Sequence, residues 1–526
     1  MQRTAWIVFL LIILLALALR LVTLEQRPMH TDEAVHAIKF ASLLEKGSYR
    51  YDPFEYHGPA LNYITLIPAW LESAQSISEI DETTLRLVPA IVGLLAVVLA
   101  GLLYSGFPDK QVLWIAFFLA ISPALVYFSR YYIQEILLVT LIWVAILSLY
   151  RYHLSSGIGW MIAAGAAVGL AHASKETVIL NVFAMILAWF FAVRVSERKQ
   201  WIRRRRLPPE HLMIGVLTAL VVSALFFSSF LQYPQGIADS CLTFKSYLQR
   251  GVGAHSAHLY PWYQYFRWLL YNPAPGMMIW SEGFFVLFGT IGLFYSLFRS
   301  GHDAKSIFYR FIALYTLVLI LLYSLIPYKT PWSMLSFYFG FVVLSVRALT
   351  GLWHRLKSFK LRVSYSFLVV IMIGFQGWQC YALNFRYKAH PSNPYVYGHT
   401  SEDIFTLVEK IDQIARVHPR GKEMYIEVVC PNDDYWPLPW YLRSYPNAGY
   451  WSDVSFETPP APLIVASPKV ENRLLQKLYS VPEPGQRYLY VPLFNQSIEL
   501  RAGVEIRAYS KKSLFDLYRH QSEETF

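Results

Sequence analysis

Met29-His30-Thr31-Asp32-Glu33-Ala34-Val35-His36 follows directly on the first apolar run of the chain, and the rest of the sequence is organised around it. Residues Trp6 to Leu24 are nearly all aliphatic and long enough to cross a hydrocarbon core of ~30 Å at ~1.5 Å per residue. The chain leaves this run through Glu25-Gln26-Arg27-Pro28 and at once sets two adjacent carboxylates at a membrane surface. An acidic pair is cheap to solvate there and well placed to act on a group held in the lipid headgroup layer.

The composition agrees with a membrane setting. Of 526 residues, 55% are hydrophobic and only 15% are charged, against ~25% charged in soluble domains. The first run lacks a small-residue cleavage site, which makes it an uncleaved anchor and not a signal peptide. A formal charge of +11 suggests nucleic acid in a soluble protein. Here much of the basic excess falls between apolar runs, where the positive-inside rule accounts for it, and no nucleic-acid partner is expected. Cys241, Cys380 and Cys430 have no metal-ligand spacing, and a Cys241–Cys430 disulfide is the lesser reading.

About eleven spans are expected. They are Trp6–Leu24, Leu85–Tyr104, Val112–Phe128, Ile136–Tyr150, Trp160–Ala173, Val178–Val193, Leu212–Phe230, Met277–Phe298, Phe308–Ile326, a run reaching Val346, and Ser364–Tyr381. The cluster Arg194 to Arg206 and the basic residues Arg347 to Arg362 fall on one side of this count. They place the N-terminus inside, in the cytoplasm, with the protein multi-pass in the cytoplasmic membrane. The first outer loop, 25–84, is too long for a turn, and Ala34–Glu45 and Ala60–Ala74 read as helices lying in the interface. From Asn384 the character changes to proline-rich turns and short β-branched runs, with a helical period over Ser401–Val417 capped by Thr400 or Ser401. The expected division is a polytopic α-helical membrane domain at 1–382 and an outer α/β domain at 383–526.

The outer turns carry the ionisable residues: Asp32-Glu33, His57, Arg86, Arg130 with Glu135, Lys175-Glu176 and Lys329. Any one of them alone suits a snorkelling structural role. Gathered on one face of one membrane, they mark a substrate path. Arg86, Arg130 and Lys329 suit a lipid-linked phosphate, because guanidinium pairs with phosphate oxygens in a fork. Asp32 is the candidate base that takes a proton from an attacking hydroxyl or amine, with Glu33 second. An N-cap role for the helix that follows suits Asp32 equally. The histidines His30, His36 and His57, with Asp32 and Glu33, lack metal-site spacing, so a divalent metal is the lesser reading and no cofactor is expected. Gly251-Val252-Gly253 follows no strand, and no Gly-Lys-Thr loop is present, which excludes a nucleotide fingerprint and an ATP-driven pump.

Asp32-Glu33, Tyr56-His57-Gly58-Pro59-Ala60, Arg130 with Glu135, and Lys175 together resemble the GT-C glycosyltransferases, which include the protein O-mannosyltransferases and the lipid A aminoarabinose transferase. Asn393-Pro394-Tyr395-Val396-Tyr397-Gly398-His399-Thr400-Ser401 and Tyr435-Trp436-Pro437-Leu438-Pro439-Trp440-Tyr441-Leu442-Arg443 resemble a narrower group, the flippase-activity-associated proteins of archaeal-type N-glycosylation. The resemblance implies a GT-C-like helix bundle using a polyprenyl-phosphate sugar, with Asp32 as the catalytic aspartate of the first outer loop. It implies substrate roles for His57, Glu135, Lys175 and Lys329, with a lipid, glycan or protein as acceptor and membrane lipids as surroundings. Gly58 stands where the mannosyltransferases have proline. The rival readings are a lipid-linked-sugar flippase or its accessory, and a scaffold that binds partners through Tyr435–Leu442.

Overall fold

The computed structural model describes residues 2–54, 57–196, 207–252, 258–273, 275–276, 278–299, 301, 303–483, 485 and 487–523. Tyr56, the basic cluster at 197–206, Gly253, His255 and His302 lie outside the described residues. The chain forms two compact units. One comprises Met1–Leu24, Lys46–Ser73 and Thr83–Tyr397, and the other Glu25–Glu45, Ala74–Glu82 and Gly398–Phe526.

The first unit is helical. Each of the eleven expected stretches holds a helix, but among the described residues seven are long and apolar enough to cross a membrane, or eight if the bent pair Asp109–Ile121 and Pro123–Ser129 counts as one. The remaining apolar helices, Ala60–Leu71, Ile158–His172, Val178–Ala192 and Gly283–Phe298, are shorter. Whole faces of these helices expose large apolar side chains, such as Leu11, Leu14, Leu220, Phe367 and Val370. In water such faces are costly, and in lipid they are solvated. Between helices the contacts are close. A Cβ at Gly292 in Gly283–Phe298 would stand 2.0 Å from the Leu344 carbonyl oxygen of Leu335–Arg355, so small residues let the two backbones touch. The helix Ala60–Leu71 runs unbroken through Pro68.

The bent pair turns by 59° at Ser122. Pro123 has no N–H to continue the ladder, so the break frees carbonyls on one side and amides on the other. Both sets are met by charged side chains. The Arg20 guanidinium donates to the carbonyls of Leu119 and Ala120 at 2.9 and 3.1 Å. The Glu282 carboxylate accepts from the Ala124 amide at 3.1 Å and from the Tyr395 hydroxyl. A cation therefore closes a helix C-terminus and an anion a helix N-terminus, the favourable sense of the helix dipole. This also shortens the span expected from Met277, because the helix begins only at Gly283, with Glu282 at its N-cap.

In the second unit a mixed sheet orders its strands as Ala448–Trp451, Ile426–Val429, Leu463–Ala466, Val504–Lys511 and Tyr490–Pro492, with Ile498–Arg501 also paired to Val504–Lys511. The first three are parallel, and the central strands Ile426–Val429 and Leu463–Ala466 are buried throughout, as strands covered on both faces must be. Glu427 in that buried strand is matched by Lys477, whose Nζ donates to its Oε1 at 2.6 Å and to Thr458 Oγ1 at 3.1 Å. The helix expected over Ser401–Val417 runs Asp403–Val417, and Ser401 Oγ accepts from the Asp403 amide at 3.3 Å. Thr400 has a different task, described below.

Candidate active site

The second unit carries Asp32 and Glu33 at the start of the helix Thr31–Lys46. The two carboxylates have opposite surroundings. Glu33 is fully buried; its Oε2 accepts from the His30 amide at 3.0 Å and its Oε1 from Arg27 at 3.3 Å. A Glu side chain reaching back to the amide at the helix start is half of a capping box, so Glu33 holds the helix terminus together. Asp32 makes no such cap. Its side chain is 44% exposed, with His30 Nδ1 the near neighbour at 3.9 Å, and its amide donates to that same nitrogen at 3.0 Å. The N-cap alternative for Asp32 is therefore not what the structure shows. Of the two carboxylates, Asp32 is the one left open to a substrate.

In the first unit the turn at His57 meets the turn between Ile158–His172 and Val178–Ser196. His57 Nδ1 lies 2.9 Å from Glu176 Oε2, and the Tyr51 hydroxyl donates to Glu176 Oε1 at 3.4 Å. Gly58 makes this approach possible. The Ala60 amide donates to the Ala173 carbonyl at 2.8 Å, and a Cβ on Gly58 would stand 2.2 Å from that oxygen. The departure from the mannosyltransferases' proline is thus a tight backbone contact that delivers His57 to Glu176. Beside Glu176, the Lys175 ammonium pairs with the Glu135 carboxylate, both almost wholly buried. Burial works to lower the Lys175 ammonium, but the Glu135 charge outweighs it and the net shift is upward. Burial likewise opposes the Glu176 charge, and His57, with Lys175, overcomes it and holds the carboxyl below its usual range. Glu135, Lys175, Thr177, Tyr323, Ser333 and Ser336, with Leu138, Val139 and Trp332, line one small cavity.

The other expected cations sit at helix ends. Arg86 Nη1 donates to the Leu24 carbonyl at 2.7 Å, and Arg130 donates to those of Leu19, Arg20 and Thr23 at 3.0–3.3 Å. Lys329 donates to the carbonyls of Tyr323, Ser324 and Ile326 at the end of Ala304–Leu325. Each places positive charge where terminal carbonyls lack partners. Arg130 also lies over the Phe385 ring, 4.7 Å from its centre. The structure brings His57 to Glu176 and, beside it, Lys175 to Glu135 at the start of the helix Glu135–Ser155. Arg86 and Arg130 share the carbonyls that end the first helix.

Glu176 is grouped by the sequence with Lys175 in an outer turn without a role of its own, and Glu282 is not marked by the sequence at all. Glu176 had a signal, a carboxylate beside a cation in an outer turn. Glu282 had only its isolation among apolar residues, which says nothing of the broken helix it closes. The stretch Tyr435–Leu442 is mostly core, with Leu438, Trp440 and Leu442 at 0–1% exposure, which suits a packed turn better than a docking patch. Among the described residues no three His, Cys, Asp or Glu side chains gather as a metal-holding group.

Comparison with known proteins bears on this arrangement. The sequence profile of the dolichyl-phosphate-mannose-protein mannosyltransferases matches residues 10–233. No curated protein matches the chain in sequence. Among solved structures, the fold is similar to ArnT from Cupriavidus metallidurans in the apo state, with TM-score 0.62 and 15% identity, covering 96% of this chain and 98% of that one. The same protein bound to undecaprenyl phosphate gives TM-score 0.61 and 16% identity, with the same coverage. The archaeal oligosaccharyltransferase AglB from Archaeoglobus fulgidus, in complex with an inhibitory peptide and a dolichol-phosphate, gives TM-score 0.58 and 14% identity, covering 89% of this chain and 70% of that one. The apolar helices make this a multi-pass membrane protein whose fold is similar to those of ArnT and AglB, and residues 10–233, which include Asp32, His57, Arg130 and Lys175, resemble the mannosyltransferases.

Proposed function

We propose that the protein moves a sugar from a polyprenyl-phosphate donor to a hydroxyl or amine acceptor on the outer face of the cytoplasmic membrane. The observation that carries this reading is the contrast at the start of Thr31–Lys46, where Glu33 is committed to structure and Asp32 is half-exposed and uncommitted. The acceptor oxygen or nitrogen attacks the anomeric carbon, the bond from that carbon to the phosphate oxygen breaks, and polyprenyl phosphate leaves. Asp32 takes the acceptor's proton. One displacement inverts the anomeric configuration.

Within the membrane unit, Lys175 and the helix-end cations Arg86, Arg130 and Lys329 are the groups suited to a lipid-linked phosphate, with His57 and Glu135 beside Lys175 as further substrate contacts. On this reading side chains supply the positive charge at the departing phosphate, and transfer should survive a chelator. ArnT has been solved with undecaprenyl phosphate and AglB with a dolichol-phosphate, which supports a lipid-linked donor. The basic loops support an N-terminus inside and the sheet-bearing unit outside.

The flippase alternative predicts polar groups facing a path through the middle of the bundle, with broken helices lining it. Among the described residues one helix pair is broken in this way, and Arg20 and Glu282 occupy its freed ends. The deciding experiment incubates purified protein with radiolabelled polyprenyl-phosphate hexoses and a panel of acceptors. Label moved to an acceptor by the protein, and lost in Asp32→Asn, supports the reading. Full transfer by Asp32→Asn removes Asp32 from its role.

A further inference from the structure

The two stretches that resemble the narrower group, Asn393–Ser401 and Tyr435–Arg443, lie beyond the mannosyltransferase-like region at 10–233, and the transfer step above makes no use of them. In the second unit both reach the same backbone. The Met29 amide donates to the Tyr441 hydroxyl at 2.8 Å, and the Met29 carbonyl accepts from Thr400 Oγ1 at 2.6 Å. Met29 is fully buried, so no water replaces either bond if a hydroxyl is lost. The next residue, His30, packs its ring against His399 with centres 4.9 Å apart, and its Nδ1 receives the Asp32 amide. Asp32 has a short side chain with two torsions. The backbone from Met29 to Asp32 sets where its Cα stands and so what its carboxylate can reach.

We propose that Thr400 and Tyr441 are positioning residues for Asp32, clamping the N–H and C=O of Met29 so that the carboxylate meets the acceptor's proton in reacting geometry. This rests on the reading of Asp32 as base. Misplacement by about 1 Å costs on the order of a hundredfold in rate where geometry is decisive, and the clamp is three residues from the acid. Arg501, which donates to Thr31 Oγ1 at 3.4 Å and pairs with Asp434, ties the following residue to the same unit.

The test uses full-length protein in detergent and the variants Thr400→Val, Tyr441→Phe and the double variant, each of which removes hydroxyls while nearly preserving shape. Hydrogen exchange of amides in 28–36 should quicken at least tenfold in the double variant, with exchange in Leu463–Ala466 unchanged. Turnover of a radiolabelled polyprenyl-phosphate hexose should fall at least tenfold in kcat with KM for the donor within twofold. In an Asp32→Asn background the same two changes should have no further effect on residual turnover. Unchanged exchange at 28–36, normal kcat despite fast exchange there, or an equal loss in the Asp32→Asn background each overturns the proposal. If Asp32→Asn itself turns over normally, the base reading fails separately, and the exchange readout still decides whether the clamp exists.

Discussion

His57 Nδ1 and Glu176 Oε2 lie 2.9 Å apart, joining two turns 119 positions apart in sequence. Three features produce that contact: the left-out Cβ of Gly58, the Ala60-to-Ala173 backbone bond, and a buried carboxylate that draws the imidazole. The pair sits next to Lys175–Glu135, so two acids and two bases share the turn region.

Glu176→Gln should lower stability by about 1–3 kcal/mol, because a neutral amide replaces a charged partner in a buried hydrogen bond. The folded carboxyl is held below its ordinary range. Its contribution is therefore fully present above the unfolded carboxyl's pKa and is lost as pH falls through the folded one. Unfolding in detergent, followed from neutral pH downward, should show a loss of stability in the wild type that is shallower in Glu176→Gln. Equal slopes would remove Glu176 from this account.

Lys175→Met should cost about 3–5 kcal/mol by leaving the buried Glu135 carboxylate without its cation. Adding Glu135→Leu should restore most of the loss, since two apolar groups replace a matched ionic pair. Sugar transfer tells more than stability. A refolded double variant that stays inactive assigns the pair to substrate; one that regains transfer assigns it to structure.

Asp32→Asn and Glu33→Gln should separate cleanly. The first should leave stability within about 0.5 kcal/mol, as for a half-exposed side chain, while transfer drops ~10²–10⁴-fold. The second should lower stability by about 1–3 kcal/mol through the Arg27 and His30 contacts. Thermal unfolding alongside label transfer reads both, and a pair of variants with matching phenotypes would count against the division of labour.

Arg20→Met should destabilise the bundle by about 2–4 kcal/mol, since the carbonyls of Leu119 and Ala120 lose charged donors inside the fold. The companion change Glu282→Gln keeps an acceptor for the Ala124 amide and should cost about 1 kcal/mol. Denaturation of both variants in one detergent checks the order; a milder Arg20→Met than Glu282→Gln contradicts the sealing of the broken helix.

Hydrophobic runs placed the helices well, because a backbone in lipid must satisfy its own hydrogen bonds and so announces itself as ~20 apolar residues. They were less informative at the ends. Gly283–Phe298 is shorter than its apolar run, and what stops it, Glu282, is explained only by the distant break at Pro123. The strands Ile426–Val429 and Leu463–Ala466 were visible as β-branched runs, whereas their pairing with Val504–Lys511 was not.

By itself the amino-acid sequence determined the membrane class, the acidic pair after the first helix, and the resemblance that its short motifs carry. Hydropathy and charge act locally, so these can be read along the chain. The tertiary structure decided which carboxylate of the pair is free, since Asp32 and Glu33 are chemically alike and differ only in the Arg27 and His30 groups that fold against one of them. It alone also turned Thr400 from an expected helix cap into a donor for the Met29 carbonyl, 371 positions away. Contacts at that separation depend on how the whole unit packs, and no local pattern encodes them.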